Sequence, residues 1–220
     1  MAGRITALEV QKKNKQRVSV YLDGEFAFGL PLTEALHLHT GQWLEDEEIA
    51  RLKARDAYHR AMEAATRLLA ARPRSTAEVR DRLRRRGFDE NTITQVVERL
   101  QELGYLDDEA FARFWVENRE RFRPRGLHAL RYELYQKGIA PEIVDRVLAD
   151  IDPTASARAA LRARVHAWRH LDERTFRKRA TQFLARRGFA YDIIQDVVTE
   201  IWLERAAEAE PPDEGAIVTE

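Results

Sequence analysis

The sequence contains no cysteine, which excludes disulfides and thiolate–zinc sites and is compatible with a reducing compartment. It has no net formal charge either: 37 Lys and Arg balance 37 Asp and Glu over 220 residues, so bulk electrostatics points at no polyanion. No apolar run approaches the roughly 20 residues a membrane helix needs. The N-terminus MAGRITALEVQKKNKQ lacks the apolar core of a signal peptide. Catalytic signatures are missing as well, with no phosphate loop ending in lysine and serine or threonine, no GxGxxG and no HExxH. These absences leave the expectation of a soluble, cytoplasmic, monomeric protein that is not an enzyme and uses no cofactor or metal.

What is present is a chain of 44% hydrophobic and 34% charged residues, a balance suited to amphipathic helices. Residues 4–30 differ from the rest. ITALEVQ, RVSVYLD and EFAFGL each alternate apolar and polar positions, and Asp23-Gly24 has the composition of a type I′ hairpin turn. LTEALHLHTGQWLEDEEIARLK is expected to be helical with a break at Gly41, and every apolar spacing after Asp56 is helical.

The helical part repeats itself. Alignment on Gly87, Gly138 and Gly188 gives separations of 51 and 50 residues. Leu83, Leu134 and Leu184 stand four residues before the glycine, and Phe88, Ile139 and Phe189 directly after it. Ile93, Val144 and Ile194 follow at six, Val96, Val147 and Val197 at nine, Val97, Leu148 and Val198 at ten, and Leu100, Ile151 and Ile201 at thirteen. This pattern predicts a helix closed by a left-handed glycine cap, then a second helix with one apolar stripe. Ser75 with Glu78, Asp89, and Pro141 are helix-start signals. A further helical stretch precedes each pair, so the unit is three helices. The domains expected are 1–50, a β unit of two or three strands with a short helix; 51–106, 107–152 and 153–205, one repeat each; and 206–220, an acidic tail expected to be disordered. Linkers are expected at Pro124-Arg125-Gly126 and near Asp152-Pro153.

The apolar skeleton repeats but the polar decoration does not, so function is expected on the varying surface. Arginine dominates it. Seven arginines fall between Arg72 and Gly87 against Glu78 and Asp81; Arg119, Arg121, Arg123 and Arg125 alternate through NRERFRPRG; and residues 158–189 hold ten basic side chains against Asp172 and Glu173. From residue 190 on there are nine acids and only Arg205. Such segregation favours a phosphate backbone or an acidic protein surface, the plain alternative being solvated helix faces carrying internal ion pairs. The candidates for binding are Arg80, Arg84, Arg85 and Arg86 in the first cluster. They are joined by Arg121, Arg123, Arg125, Arg131 and Lys137 in the middle, and by Arg177, Lys178, Arg179, Arg186 and Arg187 in the third. A helix-turn-helix reading, with Thr92, Thr94 and Gln95 facing bases, is disfavoured because the equivalent helices of the other repeats are acidic. His166 and His170 could share a helix face without a third ligand, Asp107, Asp108 and Glu109 suit a helix start, and Phe111, Phe114 and Trp115 suit a core.

STAEVRDRLRRRGFDENTITQVVERLQELGYLDDEAFARFWVENR followed by GLHALRYELYQKGIAPEIVDRVL resembles the RecX family of bacterial recombination regulators. The matching signatures are Arg86-Gly87-Phe88, the LGYLDD run Leu103 to Asp108, Phe111-Ala112 and Lys137-Gly138-Ile139. The resemblance implies a mainly α fold, with three tandem three-helix repeats in an elongated, curved array and a small N-terminal antiparallel β unit. It further implies a modulator that binds the RecA–single-stranded DNA filament and restrains its ATPase, strand exchange and co-protease functions in DNA repair. Double-stranded DNA is a further possible ligand on this reading, and no membrane is involved. A free-standing nucleic-acid-binding repeat protein and a purely structural adaptor stand as alternatives.

Overall fold

The alternating N-terminal runs form three antiparallel strands in the computed structural model, which describes residues 1–209: β1 (Gly3–Val10), β2 (Arg17–Leu22) and β3 (Glu25–Pro31). Asp23 and Gly24 turn the β2–β3 hairpin with φ of 49° and 92°, as a type I′ turn requires. The following segment departs from the helical expectation. Only α1 (Leu32–Ala35) is helical, and the chain returns as β4 (Trp43–Leu44) to pair with β1, giving the order β3-β2-β1-β4. Backbone groups of the β1 edge explain the difference: the Ile5 N–H donates to Gln42 O and the Gly41 N–H to Ile5 O, each at 2.8 Å. Leu44 is buried in the same step.

One face of the sheet is apolar, and Ile5, Val20, Phe28, Leu30 and Leu44 are covered there by Ile49 and Leu52 of α2 (Asp46–Ala71). The same helix continues into the first repeat, where Ala61, Ala64 and Ala65 let α3 (Thr76–Arg84) and α4 (Glu90–Glu102) approach. The boundary expected at residue 50 therefore falls inside α2. Between the two cores Arg17 of β2 pairs with the buried Asp56 of α2 at 2.7 Å.

The second repeat comprises α5 (Asp108–Phe122), α6 (Leu127–Gln136) and α7 (Pro141–Leu148). The third comprises α8 (Pro153–Val165), α9 (Glu173–Arg186) and α10 (Tyr191–Ala209), with a 3-10 turn at His166–Trp168. Of the expected tail, residues 206–209 continue α10 and the remainder lies outside the described residues. The chain divides into two compact units, one ending at Asp107 and one beginning at Asp108. The first holds the sheet and first repeat, the second the other two repeats.

The repeated positions are the cores. All are buried except Phe88 and Ile151, which are half-buried. Each fully buried leucine or isoleucine contributes on the order of 2 kcal/mol. Gly87, Gly138 and Gly188 have φ of 84°, 73° and 82°. The next residue's N–H reaches back to the leucine carbonyl, Phe88 to Leu83 at 3.4 Å, Ile139 to Leu134 at 3.1 Å and Phe189 to Leu184 at 3.3 Å. That is the six-to-one bond of a Schellman cap, made three times. The helices that follow start as expected: Ser75 accepts from the Glu78 N–H, Asp89 from the Thr92 N–H, and Pro141 opens α7.

Within the second unit, Pro124-Arg125-Gly126 is not the linker it was expected to be. The Gly126 N–H donates to Arg187 O at 2.9 Å, and a Cβ on Gly126 would stand 2.0 Å from Gly188 O. Backbone meets backbone there, leaving room for hydrogen only. Nearby, Ser156 of α8 hydrogen-bonds Glu120 of α5. Burial raises the Glu120 carboxyl above its ordinary value, opposed by the Ser156 bond, and its second oxygen has no hydrogen-bond partner.

Two outcomes follow from these packings. Gly87→Ala, with open space around it, should cost about 1 kcal/mol of left-handed strain. Gly188→Ala should cost clearly more, because its methyl would also meet Ala129 Cβ at 2.6 Å and Ala129 N at 2.8 Å. Urea unfolding of the two variants gives the order, and equal midpoints would refute the contact. Glu120 binds its proton more tightly when folded, so its contribution is intact below the ordinary carboxylate value and lost as pH rises through the raised one. Glu120→Gln, which keeps an acceptor for Ser156, should therefore stabilise at pH 7.5 and make little difference near pH 4. A variant no more stable than the parent at pH 7.5 would contradict the burial account.

Candidate polyanion-binding surface

α3 buries Val79 and Leu83, and its arginines take up the remaining directions. Arg80 and Arg84 turn to α4. Arg80 reaches Thr94 Oγ1 at 2.9 Å and Glu90 at 3.3 Å, and Arg84 Nε reaches Glu90 at 2.7 Å. The Arg84–Glu90 hydrogen bond raises the guanidinium and lowers the carboxyl from their ordinary values. Arg85 pairs with Asp81 one turn back at 2.9 Å. Arg86 is exposed and lines a cleft with Arg17, Arg60, Arg67 and Phe88. Arg82, which sequence reasoning did not select, is also exposed, and among the described residues neither it nor Arg86 has a carboxylate within ion-pair distance.

The middle cluster is largely committed to its own repeat. Arg131 pairs with Asp145 across α6 and α7. Glu133 is shared by Arg119 Nε at 2.7 Å, Arg125 Nε at 3.0 Å and the Trp115 Nε1–H at 2.8 Å. Arg119 and Lys137 lie 4.6 and 4.8 Å from the Trp115 ring centroid. Trp115 is therefore a half-buried cation platform, Phe111 is core as expected, and Phe114 is exposed rather than core. Arg121 sits over Phe122, and Arg123 is exposed.

The third cluster divides. Arg177 binds Glu173 at 2.7 Å and Thr199 Oγ1 at 3.0 Å. Arg158 and Arg162 of α8 bind Glu200 and Glu204 of α10 at 2.6 and 2.7 Å. Lys178, Arg179 and Arg186 stay exposed on α9, and none has a carboxylate within ion-pair distance among the described residues. Arg187 is half-buried; its guanidinium donates to Pro124 O at 3.0 Å and lies 4.4 Å from the Phe183 ring centroid. Arg164 and Arg174, also exposed, were missed because they lie between the runs that drew attention.

The other readings lose their geometry. Thr92 is buried against the Asp89 cap and Thr94 is taken by Arg80, which leaves Gln95 alone of the three base-reading candidates. His166 stands in the 3-10 turn while His170 lies beyond it, so they share no helix face. Asp108 and Glu109 occupy the first turn of α5, and Glu109 pairs with Arg113 and Arg146 at 3.0 Å each. Among the described residues no three acidic or histidine side chains form a metal-holding group, and no helix is long and apolar enough to cross a membrane.

Four family models match the chain in sequence order. They are the regulatory protein RecX N-terminal domain over residues 3–44 and the first, second and third RecX three-helix domains over 61–100, 107–148 and 150–198. A regulatory protein RecX of Clostridium botulinum (strain Eklund 17B / Type B) is 32% identical over 206 residues, covering 90% of this chain and 96% of that protein. One from Chlorobium phaeobacteroides (strain BS1) is 38% identical over 143 residues, 65% of this chain and 94% of its own. Among solved structures, a crystal structure of regulatory protein RecX superposes with a TM-score of 0.67 at 23% identity, covering 89% of this chain and 98% of the other. RecX from Lactobacillus salivarius gives 0.60 at 24%, covering 67% and 98%. At those identities the superpositions establish the fold. The sequence matches establish the kinship, and the chain belongs to the RecX family of regulatory proteins.

Proposed function

We propose that this chain acts without catalysis, by binding the RecA–single-stranded DNA filament in the cytoplasm and restraining its ATPase, strand exchange and co-protease activities during recombinational DNA repair. The observation that carries the reading is the set of cations the fold leaves unpaired. Most arginines here are neutralised within their own repeat, while Arg82 and Arg86 on α3 and Lys178 and Arg179 on α9 remain exposed. A protein with no net charge that keeps such positions open has positive charge to offer a polyanion. Each contact is weak alone. Several on one rigid unit act together, because the first to bind raises the effective concentration of the rest. The family kinship supports the recombinase filament as the polymer, since a filament combines phosphate with an acidic protein surface.

The paired and unpaired arginines predict different outcomes. Lys178→Glu with Arg179→Glu should abolish inhibition of the recombinase ATPase and leave the helical content intact. Arg85→Glu with Asp81→Arg, which inverts an ion pair, should change inhibition little. Charge reversal at Lys178 and Arg179 that leaves inhibition at the parent level would refute the basic-surface reading. Titration of single-stranded DNA with and without recombinase and nucleotide adds the second discriminator. Salt-steep binding that recombinase does not alter would instead favour a free-standing nucleic-acid binder.

A further inference from the structure

Where the second and third repeats meet, three guanidinium groups are gathered without a counter-ion. Arg164 of α8 and Arg187 after α9 both lie against the ring of Phe183, at 5.9 and 4.4 Å from its centroid. Arg187 is also tied to Pro124 O at 3.0 Å, which brings it beside the Arg123–Arg125 segment. The clamp is stiff, because the Gly126 N–H bonds Arg187 O and Gly126 tolerates no side chain against Gly188. Arg125 has Glu133, but Arg123, Arg164 and Arg187 have no carboxylate within ion-pair distance among the described residues. The nearby charges that perturb Arg187 are all positive. After burial itself, Arg123, Arg164 and Arg125 hold its guanidinium below the ordinary value.

Elsewhere in the second unit the same side-chain type finds a carboxylate across a helix pair, as Arg131 finds Asp145 and Arg158 finds Glu200. Like charges held together by a backbone clamp raise the free energy of the empty protein, and an anion with several oxygens lowers it again. Planar guanidiniums offering paired N–H donors match the oxygens of a phosphate better than a single carboxylate would. We propose that Arg123, Arg164 and Arg187 form a phosphate-binding site at the junction of the second and third repeats, and that the phosphate it takes belongs to the backbone of single-stranded nucleic acid. The site deepens the function proposed above and rests on it for the source of the phosphate, but not for the chemistry. Arg187 is the built-in anchor, while Arg123 and Arg164 are exposed and free to close on the ligand.

Arg123→Gln with Arg164→Gln removes two of the charges without touching the Arg187 clamp, so the fold is expected to survive. In phosphate-free buffer of low ionic strength, this variant should melt at a higher temperature than the parent, because repulsion has been relieved. Inorganic phosphate should raise the melting temperature of the parent and leave that of the variant nearly unchanged. With oligodeoxythymidylate the variant should bind about tenfold more weakly, with a salt slope shallower by about 1.4 for two lost phosphate contacts. A parent indifferent to phosphate, or a variant no more stable than the parent without it, overturns the site. A normal phosphate response with unchanged oligonucleotide affinity and slope overturns the nucleic-acid source and points to free phosphate. A parent that shows the phosphate response but never restrains recombinase removes the proposed function and leaves the site standing.

Discussion

Each repeat depends on a glycine that allows a helix to stop in the left-handed region and the next residue to fold back on it. The constraint is stereochemical: an L side chain there crowds the following carbonyl. Gly87, Gly138 and Gly188 all sit in that region, and each brings the next apolar side chain against the leucine whose carbonyl its N–H reaches. The turn fixes the angle between two helices, and the angle fixes which residues of the second helix meet the first. The six repeated apolar positions are the consequence. Gly188 carries a second duty, because its carbonyl lies against Gly126. The cap that closes the third repeat thereby also holds it to the second.

Charge follows a different logic. Along the chain the third repeat is basic to residue 189 and acidic from residue 190. In space the two halves interleave, with α10 carboxylates Glu200 and Glu204 taking up Arg158 and Arg162 of α8. The first repeat does the same on a smaller scale, where Glu90 at the start of α4 takes both Arg80 and Arg84. Exposed ion pairs of this sort add little stability. Their larger effect is to subtract, so that a sequence crowded with arginine presents fewer free cations than it contains.

Much of the fold was legible because it rests on period and spacing. The three strands, the hairpin at Asp23-Gly24, the glycine caps and the starts at Ser75, Asp89 and Pro141 are all local events with local signals. β4 was not legible, because two residues that pair with a distant edge have no period of their own. The single helix α2 spanning sheet and repeat hid for a related reason: its apolar stripe changes partner at Asp56 without breaking helical spacing. Pro124-Arg125-Gly126 has the composition of a linker, and only the backbone of a residue over sixty positions away shows that its glycine is there for contact. The arginine clusters were visible as clusters. Which members would be neutralised depends on the neighbouring helix, and for Arg80, Arg84, Arg85, Arg131 and Arg177 the neighbour was a carboxylate.

Sharing of elements then decides how the free cations behave. In the first unit α2 belongs to two cores at once, so the sheet and the first repeat cannot move apart without opening both. In the second unit the Gly126–Gly188 contact and the Ser156–Glu120 bond tie the last two repeats in the same way. Within each unit the exposed cations therefore keep fixed separations and lose little freedom when a polymer is bound. A flexible basic tail of equal charge would pay that cost on every encounter. The long, well-capped helices and the glycine clamps, which touch no ligand, are in this sense what makes a handful of unpaired arginines and lysines an effective surface.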